Sequence, residues 1–189
     1  MAYAGYSQTA EEYYNGGVAK IHLQDFRGAI ADFNKALEIN PQDSETYLSR
    51  GVAKDHLHDY IGAIADYSKA IEINTGFARA YYARGIAKEI LEEYSEAIID
   101  YTNTIELDPN FTEAYYSRGV AKIHLQDFRG AIIDFNKVIE FDPKNRAAYY
   151  SRGLVKITLD QKDSGCLDLS KAGELGLEEA YDAIKKFCL

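Results

Sequence analysis

The chain has 189 residues, 27% of them charged and 47% hydrophobic, with a formal net charge of −9. That balance, without any basic block, leaves no source for the phosphate neutralisation that drives nucleic-acid binding. Two cysteines cannot build a disulfide framework, and no apolar run approaches the length of a membrane span, so neither nucleic acid nor membrane is expected as a partner.

Residues 1–9 are small, polar and aromatic without helical spacing and read as a loose tail. They show no basic start followed by an apolar core, so no leader is expected, and the thiol count makes a reducing, cytoplasmic setting the expectation. Thr9-Ala-Glu-Glu12 is a capping box that starts the first helix. Beyond it the chain repeats itself. Residues 18 to 38 return 102 positions later, with intermediate copies beginning at Val52 and Ile86, so the period is 34.

Rows starting at Ala10, Ser44, Ala78, Thr112 and Arg146 place like residues in like columns. Column 8 is Gly17, Gly51, Gly85, Gly119 and Gly153. Column 20 is Ala29, Ala63, Ala97, Ala131 and Gly165, and column 24 is Phe33, Tyr67, Tyr101, Phe135 and Leu169. Column 32 holds Pro41, Pro109 and Pro143, with Thr75 followed by Gly76 as the exception and the expected softer joint. In each row columns 1–14 predict a first helix, A, and columns 17–30 a second, B, with Asp25, Asp59 and Asp127 placed to cap B helices. Small residues at columns 8 and 20 let the two backbones approach, and the aromatics read as core.

Small residues at columns 8 and 20, aromatics at 4, 17 and 24 and proline at 32 resemble the tetratricopeptide repeat (TPR) family. Tyrosine at column 4, arginine at column 7 and lysine at column 11 depart from its usual pattern. The resemblance implies an all-α fold, an α-α superhelix: a right-handed solenoid of five helix pairs (10–43, 44–77, 78–111, 112–145 and 146–177) plus a capping helix over 178–189. Row five decays, with Lys162 and Gly165 in aromatic and alanine columns, and Leu169 to Ala180 is similar to the small-residue pattern of the Sel1-like variant.

Column 23 is Asp32, Asp66, Asp100, Asp134 and Asp168, whereas column 7 is Arg50, Arg84, Arg118 and Arg152 but Gly16 in row one. Row one has no predecessor. Arginines that reach back to the preceding repeat explain the missing one, which predicts the pairs Arg50–Asp32, Arg84–Asp66, Arg118–Asp100 and Arg152–Asp134. Lys20, Lys54, Lys88, Lys122 and Lys156 join on the same helical face.

No phosphate loop, serine elbow or zinc-type Cys/His spacing occurs, and Glu92-Glu93 and Glu178-Glu179 fall at turns or helix starts, so no enzyme, cofactor or metal is expected. His22, His56 and His124 share column 13, but stacked repeats hold equivalent residues about 9 Å or more apart, whereas metal ligands lie within about 2 Å of the ion. Cys166 and Cys188 can meet across the ending, with buried free thiols the expectation.

What remains is a surface. In the family, columns 2, 5, 6, 9, 12 and 13 of the A helices line a groove. Here these include Tyr14, Leu48, Tyr82, Tyr116 and Tyr150; Asn15, Ser49 and Ser117; Val18, Val52, Ile86, Val120 and Leu154; and Arg79. This pattern suits a peptide or amphipathic helix of an unknown protein, although columns 5 and 9 also lie where a hairpin packs on itself. Self-association through the groove or end helix is the alternative. The family's clamp for an acidic chaperone C-terminus would fall on Tyr14, Val18, Ser49, Arg79 and Ala83, of which only Arg79 suits it.

Overall fold

A computed structural model describes residues 8–189, and every helix it contains falls in the expected columns. The A helices are α1 (Ala10–His22), α3 (Ser44–His56), α5 (Ala78–Ile90), α7 (Thr112–His124) and α9 (Arg146–Thr158); the B helices are α2 (Phe26–Ile39), α4 (Tyr60–Ile73), α6 (Tyr94–Leu107), α8 (Phe128–Phe141) and α10 (Lys162–Glu174). A final helix, α11, spans Glu179–Phe187. The A helices end at column 13, one residue earlier than expected, because column 15 leaves helical geometry. Gln24, His58, Glu92, Gln126 and Asp160 sit there with φ between 59 and 62°, a left-handed conformation that non-glycine residues adopt at a cost. Of the tail expected over 1–9, residues 1–7 lie outside the described residues; Thr9 is the N-cap of α1.

The fold is an all-α solenoid of paired helices with an additional C-terminal helix. It divides into two compact units, one ending at Glu92 and the other spanning Glu93–Leu189. Within the first, α1 to α5 pack each on the next; within the second, α6 to α11 do the same, and α11 lies on α10.

Side-chain size at three columns explains the hairpins. Ala29, Ala63 and Ala131 are fully buried, as are Phe33, Tyr67 and Phe135 one turn further along the B helices. The facing A helix carries glycine because the ring needs the space. A Cβ on Gly17 would stand 2.5 Å from Phe33 Cε1, and one on Gly51 2.5 Å from Tyr67 Cε1. Burying each such ring contributes a few kcal/mol, the scale on which Phe→Ala core changes cost about 3–5 kcal/mol.

Several helix N-termini carry side-chain caps. Thr9 Oγ1 accepts from Glu12 N at 3.1 Å while Glu12 Oε2 accepts from Thr9 N at 2.8 Å, the expected capping box. Asp25, Asp59 and Asp127 accept from Gly28, Gly62 and Gly130 backbone N–H groups at 2.9–3.0 Å. The joints between repeats rely on column 31 as well as on proline. Asn74 Oδ1 accepts from Gly76 N at 3.1 Å, as Asp108 does from Asn110 N and Asp142 from Lys144 N. The Asn74 backbone (φ −130°, ψ 94°) matches Asn40 (−127°, 87°), so the joint at Thr75 keeps the common geometry without proline.

Ala180, fully buried like Ala80, Ala114 and Ala148, makes α11 the A helix of a sixth unit begun two residues early. That register puts Lys185 where the other A helices have glycine. Gly176 ends α10 with φ +89°, and Gly173 lies against the Tyr181 ring, where a Cβ would be 3.0 Å from Cζ.

Candidate peptide-binding face

Ion pairs set the A-helix geometry, and their partners differ from those expected. Arg50 Nε and Nη2 donate to Asp66 at 2.9 and 2.6 Å, Arg118 to Asp134 at 3.0 and 2.7 Å, and Arg152 to Asp168 at 2.8 and 2.6 Å. Each pair is bidentate and lies within one repeat, so the expected pairs Arg50–Asp32, Arg118–Asp100 and Arg152–Asp134 are replaced. The reason is that columns 7 and 23 face each other across the hairpin, where the aspartate is buried; Asp134 is 1% exposed. Asp66, expected opposite Arg84, takes Arg50 and Lys54. Lys20, Lys122 and Lys156 reach Asp32, Asp134 and Asp168 at 2.6–2.7 Å.

The third arm of each arginine does reach back, to column 25 of the preceding repeat. Arg50 Nη1 donates to Asn34 Oδ1 at 2.7 Å, Arg84 Nη1 to Ser68 Oγ at 3.0 Å, Arg118 Nη1 to Thr102 Oγ1 at 3.1 Å and Arg152 Nη1 to Asn136 Oδ1 at 2.6 Å. The guanidinium also lies over the column 4 ring, 5.3 Å from the Tyr47 centroid and 5.6 Å from that of Tyr115. One residue therefore ties its own hairpin and the joint behind it.

Of the column 13 histidines, His56 stacks on Phe26 of the preceding repeat at 4.3 Å, and His124 on Tyr94 at 4.2 Å, nearly parallel. Among the described residues no three His, Cys, Asp or Glu side chains are grouped to hold an ion. Arg79 is neutralised by Glu45 at 2.7 Å.

Row two carries an additional buried polar pair. The Tyr67 hydroxyl, in the core, donates to Asp55 Oδ2, whereas Asp55 Oδ1 is buried with no partner among the described residues. Burial pushes the Asp55 carboxyl above its usual range, and the hydrogen bond from Tyr67 and the neighbouring His56 offset only part of that. Burial, then the bond to Asp55, pushes the Tyr67 phenol up as well.

The A-helix face itself is apolar but shallow. In the first unit Asn15 is exposed and Val18, Ser49, Val52, Tyr82 and Ile86 are half-buried; in the second Tyr116, Ser117, Val120, Tyr150 and Leu154 are half-buried. Leu48, expected in the groove, is 8% exposed and belongs to the core with Tyr67 and Phe77. Tyr14 and Tyr116 lean on Phe33 and Phe135 with centroids 5.9 and 5.6 Å apart, so these rings serve core and surface together. Tyr116 Oη lies 3.3 Å from Ser151 Oγ on the next A helix.

At the end of the second unit α11 turns this face into a cleft of about 350 Å³, with Tyr150 and Leu154 on one side and Glu179, Asp182, Ala183, Lys186 and Phe187 on the other. Cys166 and Cys188, expected as free thiols, form a disulfide across α10 and α11 with Cα atoms 5.9 Å apart. The short connection after Gly176 brings the C-cap of α11 over the start of α10.

Residues 10–43, 78–111 and 112–145 match the family model described as tetratricopeptide repeat, together more than half of the chain. Among solved structures, a crystal structure of MamA is 29% identical over 87% of this chain and 96% of that one, with a TM-score of 0.82. A second MamA crystal structure is 28% identical over 95% and 96%, with a TM-score of 0.82. YrrB, described as a TPR protein with an unusual peptide-binding site, is 24% identical over 93% and 92% with a TM-score of 0.83, a likeness of fold alone. The curated protein sequences contain no significant match. No helix among the described residues is long and apolar enough to cross a membrane.

Proposed function

The chain belongs to the tetratricopeptide repeat family, and we propose that it is a protein–protein interaction scaffold that holds a peptide segment or helix of a partner protein against its A-helix faces. The reading rests on one observation: half-buried aliphatic side chains recur at one column of successive A helices, Val18, Val52 and Ile86 in the first unit and Val120 and Leu154 in the second, beside polar Asn15, Ser49 and Ser117. Such a face offers apolar area at a regular spacing together with hydrogen-bonding groups that fix register. The Sel1-like ending serves in this reading to close the face with α11. Peptide binding by YrrB is a property of that protein, and its likeness here is an argument from fold only.

The test is affinity capture, followed by titration of the shortest binding fragment of whatever protein is retained. Val18→Asp/Val52→Asp/Ile86→Asp should weaken that fragment at least about tenfold, equal to 1.4 kcal/mol, whereas Ile61→Asp, on an exposed B-helix position of the same unit, should not. Equal binding by both variants would end the proposal.

Self-association is the second reading, favoured by the aliphatic residues exposed at column 22 of successive B helices in the second unit, Ile99, Ile133 and Leu167. The same column holds Ala31 and Ala65 in the first unit. Light scattering at several concentrations separates the readings, since a mass that stays at 21.2 kDa contradicts self-association.

A further inference from the structure

We propose that the Cys166–Cys188 disulfide is a redox-operated fastener for α11, and that its reduction opens the cleft between α11 and α9. Four observations carry this. The bond joins the C-cap of α11 to the first turns of α10, closing 22 residues of chain. Helix α11 has nine residues, below the length at which a helix holds itself in water. Its fully or nearly buried side chains are two alanines, Ala180 and Ala183, which contribute little apolar area compared with the rings that hold the other hairpins. And α11 supplies one entire side of the cleft, from Glu179 to Phe187, opposite Tyr150 and Leu154.

A helix that is short, lightly packed and covalently tied at its far end depends on the tie. Both cysteines are partly exposed, so a small dithiol reaches the bond. The reaction is ordinary exchange. A thiolate of the dithiol attacks one sulfur, the mixed disulfide forms and the other protein sulfur leaves as thiolate; the second thiol of the reductant then closes its own ring disulfide. Two electrons and two protons pass to the protein, which ends with two thiols, while the dithiol ends as the cyclic disulfide. The oxidised chain presents a two-sided cleft and the reduced chain a one-sided face at Tyr150 and Leu154.

The consequence for ligand binding rests on the proposed peptide-holding role of the A-helix face, but the switch itself is read without any ligand. Hydrogen exchange of the full chain is followed before and after treatment with a dithiol, and for Cys188→Ser and Cys166→Ser. The expected result is at least tenfold faster exchange over 179–188 in the reduced chain and in both variants, with α1 to α9 unchanged. Unchanged exchange over 179–188 overturns the proposal. So does loss of protection throughout α6 to α10, which would make the bond a support of the whole unit, and so does alkylation of both thiols after equilibration with oxidised glutathione, which would show that the bond does not form. Failure of peptide binding with the switch intact would instead count against the peptide-holding role alone.

Discussion

The Tyr67 hydroxyl, buried in the core of the second repeat, donates its hydrogen bond to Asp55 on the facing A helix. Rows one and four solve the same position without polarity, with Phe33 and Phe135 at column 24 and Ile21 and Ile123 at column 12. Asp55→Ile alone should therefore leave a buried hydroxyl unpaired and cost about 1–3 kcal/mol, and Tyr67→Phe added to it should recover most of the loss. Urea unfolding of the four members of the cycle measures this; additive losses would mean the two side chains do not act as a pair.

The same carboxyl imposes a pH dependence. Burial raises its folded-state pKa above the ordinary 3.8, so the folded chain holds this proton more tightly than the unfolded chain. Its contribution is fully present below the ordinary carboxylate range and is lost as pH rises through the raised value. Asp55→Asn keeps an acceptor for Tyr67 and removes the titration. The stability of the native chain minus that of the variant should fall from about pH 4 upward; a difference that rises or stays flat would show that Asp55 ionises without penalty.

Arg118 offers a test of which contact matters more. Arg118→Ala leaves the buried Asp134 with Lys122 as its only cation among the described residues and should cost about 2–4 kcal/mol. Thr102→Val removes the reach-back acceptor, along with the hydroxyl's own bond to Ile98 O, and should cost about 1 kcal/mol. Denaturant midpoints should follow that order, and the reverse order would make the joint, not the hairpin, the arginine's main role.

Gln126 occupies a left-handed turn with φ 61°, where an ordinary side chain costs about 1–2 kcal/mol. Asparagine tolerates that region better. Gln126→Asn should stabilise the chain by up to about 1 kcal/mol on the same scale, seen as a higher thermal midpoint. A lower midpoint would show that Gln126 makes a favourable contact that outweighs the backbone.

Period, hairpins and caps were legible in the sequence because each is local: a 34-residue rhythm, a threonine three residues before a glutamate, a glycine opposite a ring. The ion pairs were misread although the sequence held the correction. Pairing across repeats would leave Asp168 without a successor, yet row five keeps it. That fact points to pairing within the hairpin, with small polar residues at column 25 left to meet the arginine from behind. Leu48 was misplaced because columns 5 and 9 serve core and surface at once, and only packing decides how much of each remains exposed. That Cys166 and Cys188 can meet was legible from the ending; that they bond was not, since a count of two thiols points to free cysteines.

The claim that the A-helix face receives a partner is tested most directly by a methyl chemical-shift map, with the captured partner fragment titrated into the chain. Shifts concentrated at Val18, Val52, Ile86, Val120 and Leu154 are the predicted result. Shifts at the exposed B-helix methyls of Ile61, Ile133 and Leu167, with the A-helix methyls unmoved, would contradict it.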